Sequence, residues 1–343
     1  NICAPIRLSG GRPNGLPRRQ VCWRLRWRGT TCLALLALAA VAVLIRYVPK
    51  PTLASQVASS TAIYDAQGRL LRLALAADDR YRLWVPLERI SPQLVEAFLL
   101  KEDRHFYWHP GVEPFSLARA GLRTVTASGP RQGGSTISMQ LARLLYRLKT
   151  RSIHGKMVQV VRALQLELFY SKHDILEAYL NVTPFGVNIE GVAAASLIYF
   201  GKRAERLSLA EVLTLAVIPQ APARRGLTKE VSANLVAERA RLFEQWVERY
   251  PQAREAAGLL KLPLNLHTPS NLPFHAPHET AMLLARVSAA GPERDSEVHA
   301  TLDLRLQRAL ERQIQRYIAQ ARRVGLRNAA AMLVETRSMA VTA

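Results

Sequence analysis

After residue 90, apolar positions recur every third or fourth residue. Just before it, a short stretch alternates with a period of two. That stretch, "AIYDAQGRLLRLAL", alternates on either side of Ala66-Gln67-Gly68, which predicts two short strands joined by a turn. "RYRLWVPL" predicts a third strand. Ser91-Pro92 is an N-cap and first-turn pair, and it opens a helical pattern that runs to about Tyr250. Ile137, Leu141, Leu144, Leu145 and Leu148 keep helical spacing, as do Met157, Val160, Val161, Leu164 and Leu168. The runs from Ser171 to Asp174 and from Ser208 to Glu211 predict capping boxes. "GVAAASLIYFG" predicts a small-residue helix closed by Gly201. Residues 251–298 are rich in Pro, Asn and His and predict a linker. From about Asp303 an amphipathic helix returns, then a strand, a turn and the start of another strand. One strand pair cannot bury a core, so this last part predicts an incomplete second domain.

One earlier segment breaks the helical period. "TCLALLALAAVAVLIRYV" is apolar throughout except for Arg46. Residues 30–48 cover about 29 Å as a helix, enough to cross a bilayer with Arg46 snorkelling to the interface. Trp23, Trp27 and Tyr47 flank it as interfacial aromatics. The alternative is a cleaved signal peptide, since Ala54-Ser55 follows. Arginines 7, 12, 18, 19, 24, 26 and 28 precede the segment with no acid among them, which predicts that residues 1–29 are cytoplasmic and the remainder lies outside.

Charge sharpens the picture further. The chain of 343 residues carries a formal net charge of +21, so its partner is anionic: nucleic acid, lipid or a phosphorylated substrate. A second acid-free basic segment spans residues 131–166, with Arg131, Arg143, Arg147, Lys149, Arg151, Lys156 and Arg162. The cysteines are Cys3, Cys22 and Cys32, so a thiol nucleophile, a thiolate zinc site and a disulfide framework are excluded beyond the apolar segment.

Two carboxylates stand out. Glu102 ends a helix and is followed by Phe106, Tyr107 and Trp108, flat side chains that suit either a sugar cleft or a core. Glu167 follows Leu164, Ala163 and Val160 at i+3, i+4 and i+7, on the predicted buried face of its helix. A buried carboxylate needs a partner or a raised pKa. A structural ion pair with Arg104 or Arg162 is one reading. Acid–base work at a glycosidic centre, with Glu102 as the second group, is the other. Between them "RQGGSTISMQ" offers a flexible Gly133-Gly134 backbone and the hydroxyls of Ser135 and Thr136 at a helix start, where a diphosphate would sit. A capped loop is the competing reading. It is not a P-loop, which requires a Gly-Lys-Ser/Thr ending. His105 and His109 are spaced i, i+4, but Pro110-Gly111 breaks any helix there, so no metal site is predicted and His109 is expected to fix the turn.

Taken in order, "EDRHFYWHPG", "GGSTISMQ", "GKMVQVVRALQLE", "YSKHDILEAYLNVTPFGVNIEGVAAASLIYFGK" and "LSLAEVLTLAVIPQAP" resemble the five motifs of the family 51 peptidoglycan glycosyltransferases. These form the N-terminal part of class A penicillin-binding proteins, and the wording is most similar to the 1C type. The resemblance implies a mainly α, lysozyme-like glycosyltransferase domain. It would follow one transmembrane helix and a short β-containing stretch, and precede an incomplete transpeptidase start. The organisation expected is a cytoplasmic basic tail (1–29), a signal-anchor (30–48), a juxtamembrane β region (49–90), the glycosyltransferase domain (91–250), a linker (251–298) and the truncated transpeptidase start (299–343).

By the same resemblance, Glu102 is the base that deprotonates the acceptor sugar's 4-hydroxyl, and Glu167 assists at the donor. The resemblance places Asp103, Arg104, Phe106, His109, Gly133, Gly134, Ser135, Thr136, Gln140, Lys156, Arg162, Asn181 and Asn188 along the substrate cleft. The substrate implied is lipid II. No cofactor is required, and Mg²⁺ or another divalent cation is admitted at the diphosphate. Implied partners are the nascent glycan strand, the bacterial inner membrane and other cell-wall synthesis enzymes, with the catalytic domain facing the periplasm. Nucleic acid is not among them, because it explains the charge but not the anchor. The family's third motif often has an Arg-Lys pair and an extra Glu, where this chain has Gly155-Lys156 and Gln159, and Ser138 replaces a usual Thr. Ser-x-x-Lys and Lys-Thr-Gly signatures are absent, so no acyl-enzyme chemistry is expected. A lysozyme-like glycan hydrolase and a non-catalytic lipid II-binding scaffold are the rival readings.

Overall fold

The structure, a computed structural model, describes residues 40, 43–113, 135–186, 188–219, 233–261, 266–289 and 296–343. The chain divides into two units, Asn1–Pro49 and Lys50–Ala343. The expected membrane span lies mostly outside the described residues. Among those described, no helix is long and apolar enough to cross a membrane.

The second unit opens with the expected hairpin. Strands β1 (Ala62–Tyr64) and β2 (Leu70–Leu73) pair antiparallel with a bulge between Ile63 and Tyr64. Asp65 builds the turn. Its Oδ1 accepts the Gln67 and Arg69 backbone N–H groups at 2.9 and 2.8 Å, and Gly68 takes the left-handed backbone the turn requires (φ +76°). The expected third strand forms as β3 (Tyr81–Arg82). It leaves the hairpin and pairs parallel with β4 (Ile189–Glu190), where Arg82 Nε donates to Glu190 Oε2 at 2.8 Å.

The rest is mainly helical: α1 (Pro92–Glu102), α2 (Ile137–Leu145), α3 (Ile153–Phe169), α4 (Lys172–Val182), α5 (Val192–Phe200), α6 (Leu209–Val217), α7 (Ala233–Arg249), α8 (Pro277–Ala289) and α9 (Leu304–Ala321). Helix α1 packs on α6 and α7, and α2 packs on α3 and α4. Both expected capping boxes form, at Ser171 with Asp174 and at Ser208 with Glu211. Gly201 closes α5 with φ +63°. The expected linker is more ordered than its composition implies, because it holds a 3-10 helix (Pro251–Lys261) and α8.

Strand β5 (Glu297–His299) pairs parallel with β1, giving the order β2-β1-β5. The boundary expected at residue 298 therefore falls inside a strand shared with the N-terminal hairpin. Alternation lets β1 and β2 serve two cores. Ala62, Tyr64 and Leu73 join the main helical core, while Ile63 and Leu71 join a smaller cluster with Ala276, Ala300, Leu302 and Leu304.

Helix α3 contains one reversal. The expected apolar stripe is largely its outer face: Met157 is 57% exposed, and Val161 and Leu164 are exposed too. Gln159, Ala163, Leu166 and Glu167 are the buried ones. The inner face takes small and polar groups because α2 presents a backbone carbonyl and a hydroxyl to it, as the site geometry shows.

Candidate active site

Helix α1 ends because its next residue is held by other groups. Asp103 turns out of the helix (φ −161°), and its carboxylate accepts from His109 Nε2 at 3.0 Å and from the Ile137 backbone N–H at 2.9 Å. A carboxylate on the first N–H of α2 is favoured by that helix's dipole. His109 uses both ring nitrogens, since Nδ1 accepts from Gly111 N at 3.1 Å. Thr136 caps α2 by accepting from Met139 N at 3.2 Å, while its hydroxyl donates to the Gly111 carbonyl at 2.6 Å. The loop of residues 103–111 is thus fastened to the start of α2.

This clamp sets Glu102, half-buried, beside α2. Gln140 Nε2 donates to Glu102 Oε2 at 2.9 Å. The other end of that amide accepts from the Tyr179 hydroxyl at 3.4 Å. Burial, with the nearby Glu102 charge second, pushes the Tyr179 phenol well above its ordinary pKa, so it stays a donor.

A cationic group lies on the same end of α2. Lys156 Nζ donates to Ser135 Oγ at 2.7 Å and to Gln159 Oε1 at 3.0 Å. Burial first, and Arg143 second, lower the Lys156 pKa. Gln159 Nε2 in turn donates to the Met139 carbonyl at 2.6 Å. A glutamate at 159 would set two acceptors against each other, which gives the glutamine its physical reason. Gly155 has one as well, because a Cβ there would run into the Lys149 carbonyl.

Glu167 is buried as expected, but its partners differ. Oε1 accepts from Ser138 Oγ and from Lys172 Nζ, the latter at 2.7 Å. Lys172 also donates to the His109 carbonyl at 2.8 Å and lies 4.3 Å from the Phe106 ring centroid. The proposed partner Arg162 is on the solvent side of α3, stacked 4.9 Å from Tyr146. Arg104 is exposed.

Several residues expected along the substrate cleft are buried. Phe106 is fully buried and belongs to the core, whereas Trp108 is 88% exposed and Tyr107 is exposed as well. Asp103, His109 and Thr136 are buried, with their polar atoms used internally. Asn181 is fully buried, donating to the Val85 and Glu177 carbonyls and accepting from Val85 N. The Asn188 carbonyl accepts from Tyr81 N, extending the β3–β4 pairing. Gly133 and Gly134 lie outside the described residues. The structure brings together Glu102, Ser135, Gln140 and Lys156. Sequence reasoning missed Tyr179 and Lys172. The signal for Lys172 was its place in a capped first turn five residues after Glu167.

Among the described residues, Glu88, His173 and Glu177 bring ligand atoms within 4.8 Å of one another. The Glu177 carboxylate there already accepts from Trp84 Nε1 and Leu87 N, each at 3.0 Å.

A rim carboxylate oriented by an amide, next to an ammonium–hydroxyl pair, suits general-base chemistry on a substrate that carries an anionic group. The chain matches the transglycosylase family over residues 67–247 and belongs to it. It is 40% identical over 241 residues to penicillin-binding protein 1C of Escherichia coli, a match covering 68% of this chain and 30% of that protein. It is 32% identical over 299 residues to penicillin-binding protein 2D of Bacillus subtilis, covering 82% and 42%. A crystal structure of penicillin-binding protein 1A from Haemophilus influenzae aligns at 19% identity with a TM-score of 0.33, over 82% of this chain and 32% of that one. The chain thus spans less than half the length of these relatives.

Proposed function

We propose that this chain is a peptidoglycan glycosyltransferase that polymerises lipid II. The observation that carries the reading is Glu102, set at the end of α1 and oriented by Gln140, with the Lys156–Ser135 pair on the same helix end. In the proposed step Glu102 takes the proton from the acceptor sugar's 4-hydroxyl. That oxygen attacks C1 of the lipid-linked donor chain, and the C1–oxygen bond to the diphosphate breaks with inversion. Lys156 faces the charge that grows on the departing diphosphate and lowers the barrier. Glu167, held by Ser138 and Lys172 beside the loop that carries Gly111, assists at the donor side. The ammonium and hydroxyl at Ser135 suit an anion rather than a divalent cation, and the reaction as proposed runs without a metal.

We place the site at the outer face of the bacterial cytoplasmic membrane, anchored by residues 30–48. The exposed apolar face of α3 supports this, because a lipid-linked substrate has to be met at the bilayer. Glu102→Gln is the test. The variant folds as the parent does and fails to extend lipid II in detergent. Full polymerisation by that variant would remove the base. Release of muropeptides from purified glycan by the parent protein would replace the transferase reading with a hydrolase.

A further inference from the structure

Within the second unit, a cleft of about 600 Å³ opens between the end of α5, the segment before α8 and the start of α9. That volume lies in the range of about 300–1,000 Å³ usual for ligand clefts. Its walls carry Arg69, Lys202, Arg203, Arg206 and Arg308, together with histidines, and no Asp or Glu lines it. A cleft of one charge sign with low-dielectric walls focuses its field on an incoming anion.

The cations differ in how far they are already satisfied. Arg69 pairs with Asp65 and Asp303, Lys202 with Glu211, and Arg203 lies 3.9 Å from Glu297. Arg206 and Arg308 form no salt bridge among the described residues, and both are exposed. The walls are also held in place. Arg203 sits 4.3 Å over the Tyr64 ring, Tyr64 stacks on His299 at 5.3 Å, and Arg308 donates to His275 Nε2 at 3.0 Å. That last bond makes His275 the acceptor, so its ring is neutral and adds no competing charge.

The geometry points to a binding site for an acidic peptide segment of a partner protein. Two features separate such a segment from a small phosphate. The cations come from three parts of the chain, at Arg69, at Lys202 to Arg206 and at Arg308. The lining also includes apolar side chains, Leu70 and Leu272 with the largely buried Leu197 and Ile198, beside the polar Gln67 and Asn271. A ligand that alternates carboxylates with apolar side chains satisfies both. None of these residues belongs to the Glu102 group, so the proposal stands independently of glycosyl transfer.

The test uses the full chain and a fluorescein-labelled hexapeptide of alternating glutamate and leucine, read by anisotropy. Arg206→Glu with Arg308→Glu is expected to weaken binding at least tenfold, with an unchanged circular dichroism spectrum and unchanged lipid II polymerisation. The control is Arg322→Glu with Arg323→Glu, which makes the same charge change just past the end of α9, about 21 Å along the chain from Arg308, and is expected to alter binding less than twofold. Equal losses in the two double variants would reduce the effect to attraction by a basic chain and overturn the site. Displacement of the peptide by inorganic pyrophosphate at equal concentration would overturn the peptide assignment in favour of a small-anion site.

Discussion

Tyr179 and Glu102 are linked through one amide: the Tyr179 hydroxyl donates to Gln140 Oε1 at 3.4 Å, and Gln140 Nε2 donates to Glu102 Oε2 at 2.9 Å. An amide can present either end, and the phenol selects which end meets the carboxylate. Losing a hydrogen bond to a charged group removes about 1.5–3 kcal/mol, which is about ten- to hundredfold in rate if the bond holds the reacting geometry. Gln140→Ala is therefore expected to lower kcat/KM for lipid II by that range. Tyr179→Phe keeps the ring in the core and loses only the selector across a long bond, so its loss is smaller, below about tenfold. Steady-state kinetics on both variants, with matched melting temperatures, check the order.

Gly111 is a second point where geometry leaves no latitude. Its φ is +90°, and a Cβ built there would lie 2.6 Å from Glu167 Cγ. Gly111→Ala adds backbone strain to a collision with a buried side chain, and is expected to destabilise the chain by about 2–4 kcal/mol. A urea-unfolding midpoint that does not move would show that the loop of residues 103–111 is held less tightly than its hydrogen bonds indicate.

The Glu167–Lys172 pair is nearly enclosed, at 8% and 22% side-chain exposure. Removing Lys172 takes its ammonium from the buried Glu167 carboxylate, which keeps the Ser138 hydroxyl. Lys172→Met is expected to cost about 2–4 kcal/mol, below the upper end for fully buried pairs because Lys172 keeps some solvent. Adding Glu167→Gln should recover part of that loss, since the buried carboxylate charge that Lys172 balanced is then gone. A double-mutant cycle in urea measures the recovery, and strictly additive losses would remove the coupling.

Local signals were legible in the sequence where a few neighbouring residues decide the outcome. The Asp65–Gly68 turn, the two capping boxes and the Gly201 stop all form as the sequence predicts. What stayed open was anything settled by distant partners. β3 forms as the expected third strand, but its pairing with β4, more than a hundred residues away in sequence, has no local signal. Phe106, which by type suits either a cleft or a core, is buried under Lys172, and His109 holds the turn as expected, bonded to Asp103 and to Gly111 N. At the site, residue types and order pointed to Glu102 and Ser135, and the family resemblance added Gln140 and Lys156. The roles of Tyr179 and Lys172 required knowing which helices meet.

Lys156 gives the site a pH signature. Burial, with Arg143 second, holds its folded pKa below the ordinary lysine value of about 10.4. As pH rises, the folded chain therefore releases this proton before the unfolded chain does. Between the two values the unfolded state binds more protons, so this group's contribution to stability rises with pH there and is unfavourable below. Activity runs the other way, because phosphate needs the ammonium. The alkaline limb of kcat/KM is expected below the ordinary lysine value and should move upward in Lys156→Arg, whose guanidinium stays charged. An alkaline limb identical in the two proteins would assign it to another group.

The outer face of α3 is where period and environment disagree most. Met157, Val161 and Leu164 are expected to point inward by spacing, yet all three are exposed, as is Ile153 at 87%, while Gln159 and Glu167 are buried. The inner face is committed: Gln159 is bonded to α2 and Glu167 to Ser138, so the helix cannot rotate its apolar stripe inward without breaking both contacts. Each such side chain gains about 1.5–3 kcal/mol when removed from water, so a lipid surface is a favourable place for the stripe. A dye-labelled cysteine at Val161 tests this independently of any anchor, in a chain whose Cys3, Cys22 and Cys32 are replaced by serine. On phosphatidylcholine vesicles, which remove the attraction of the basic chain for anionic lipid, the emission of an environment-sensitive dye at 161 should shift to the blue. The same dye at Arg241, exposed on α7, should not shift. Equal spectra at the two positions would take the membrane away from α3 and leave the stripe for a protein partner.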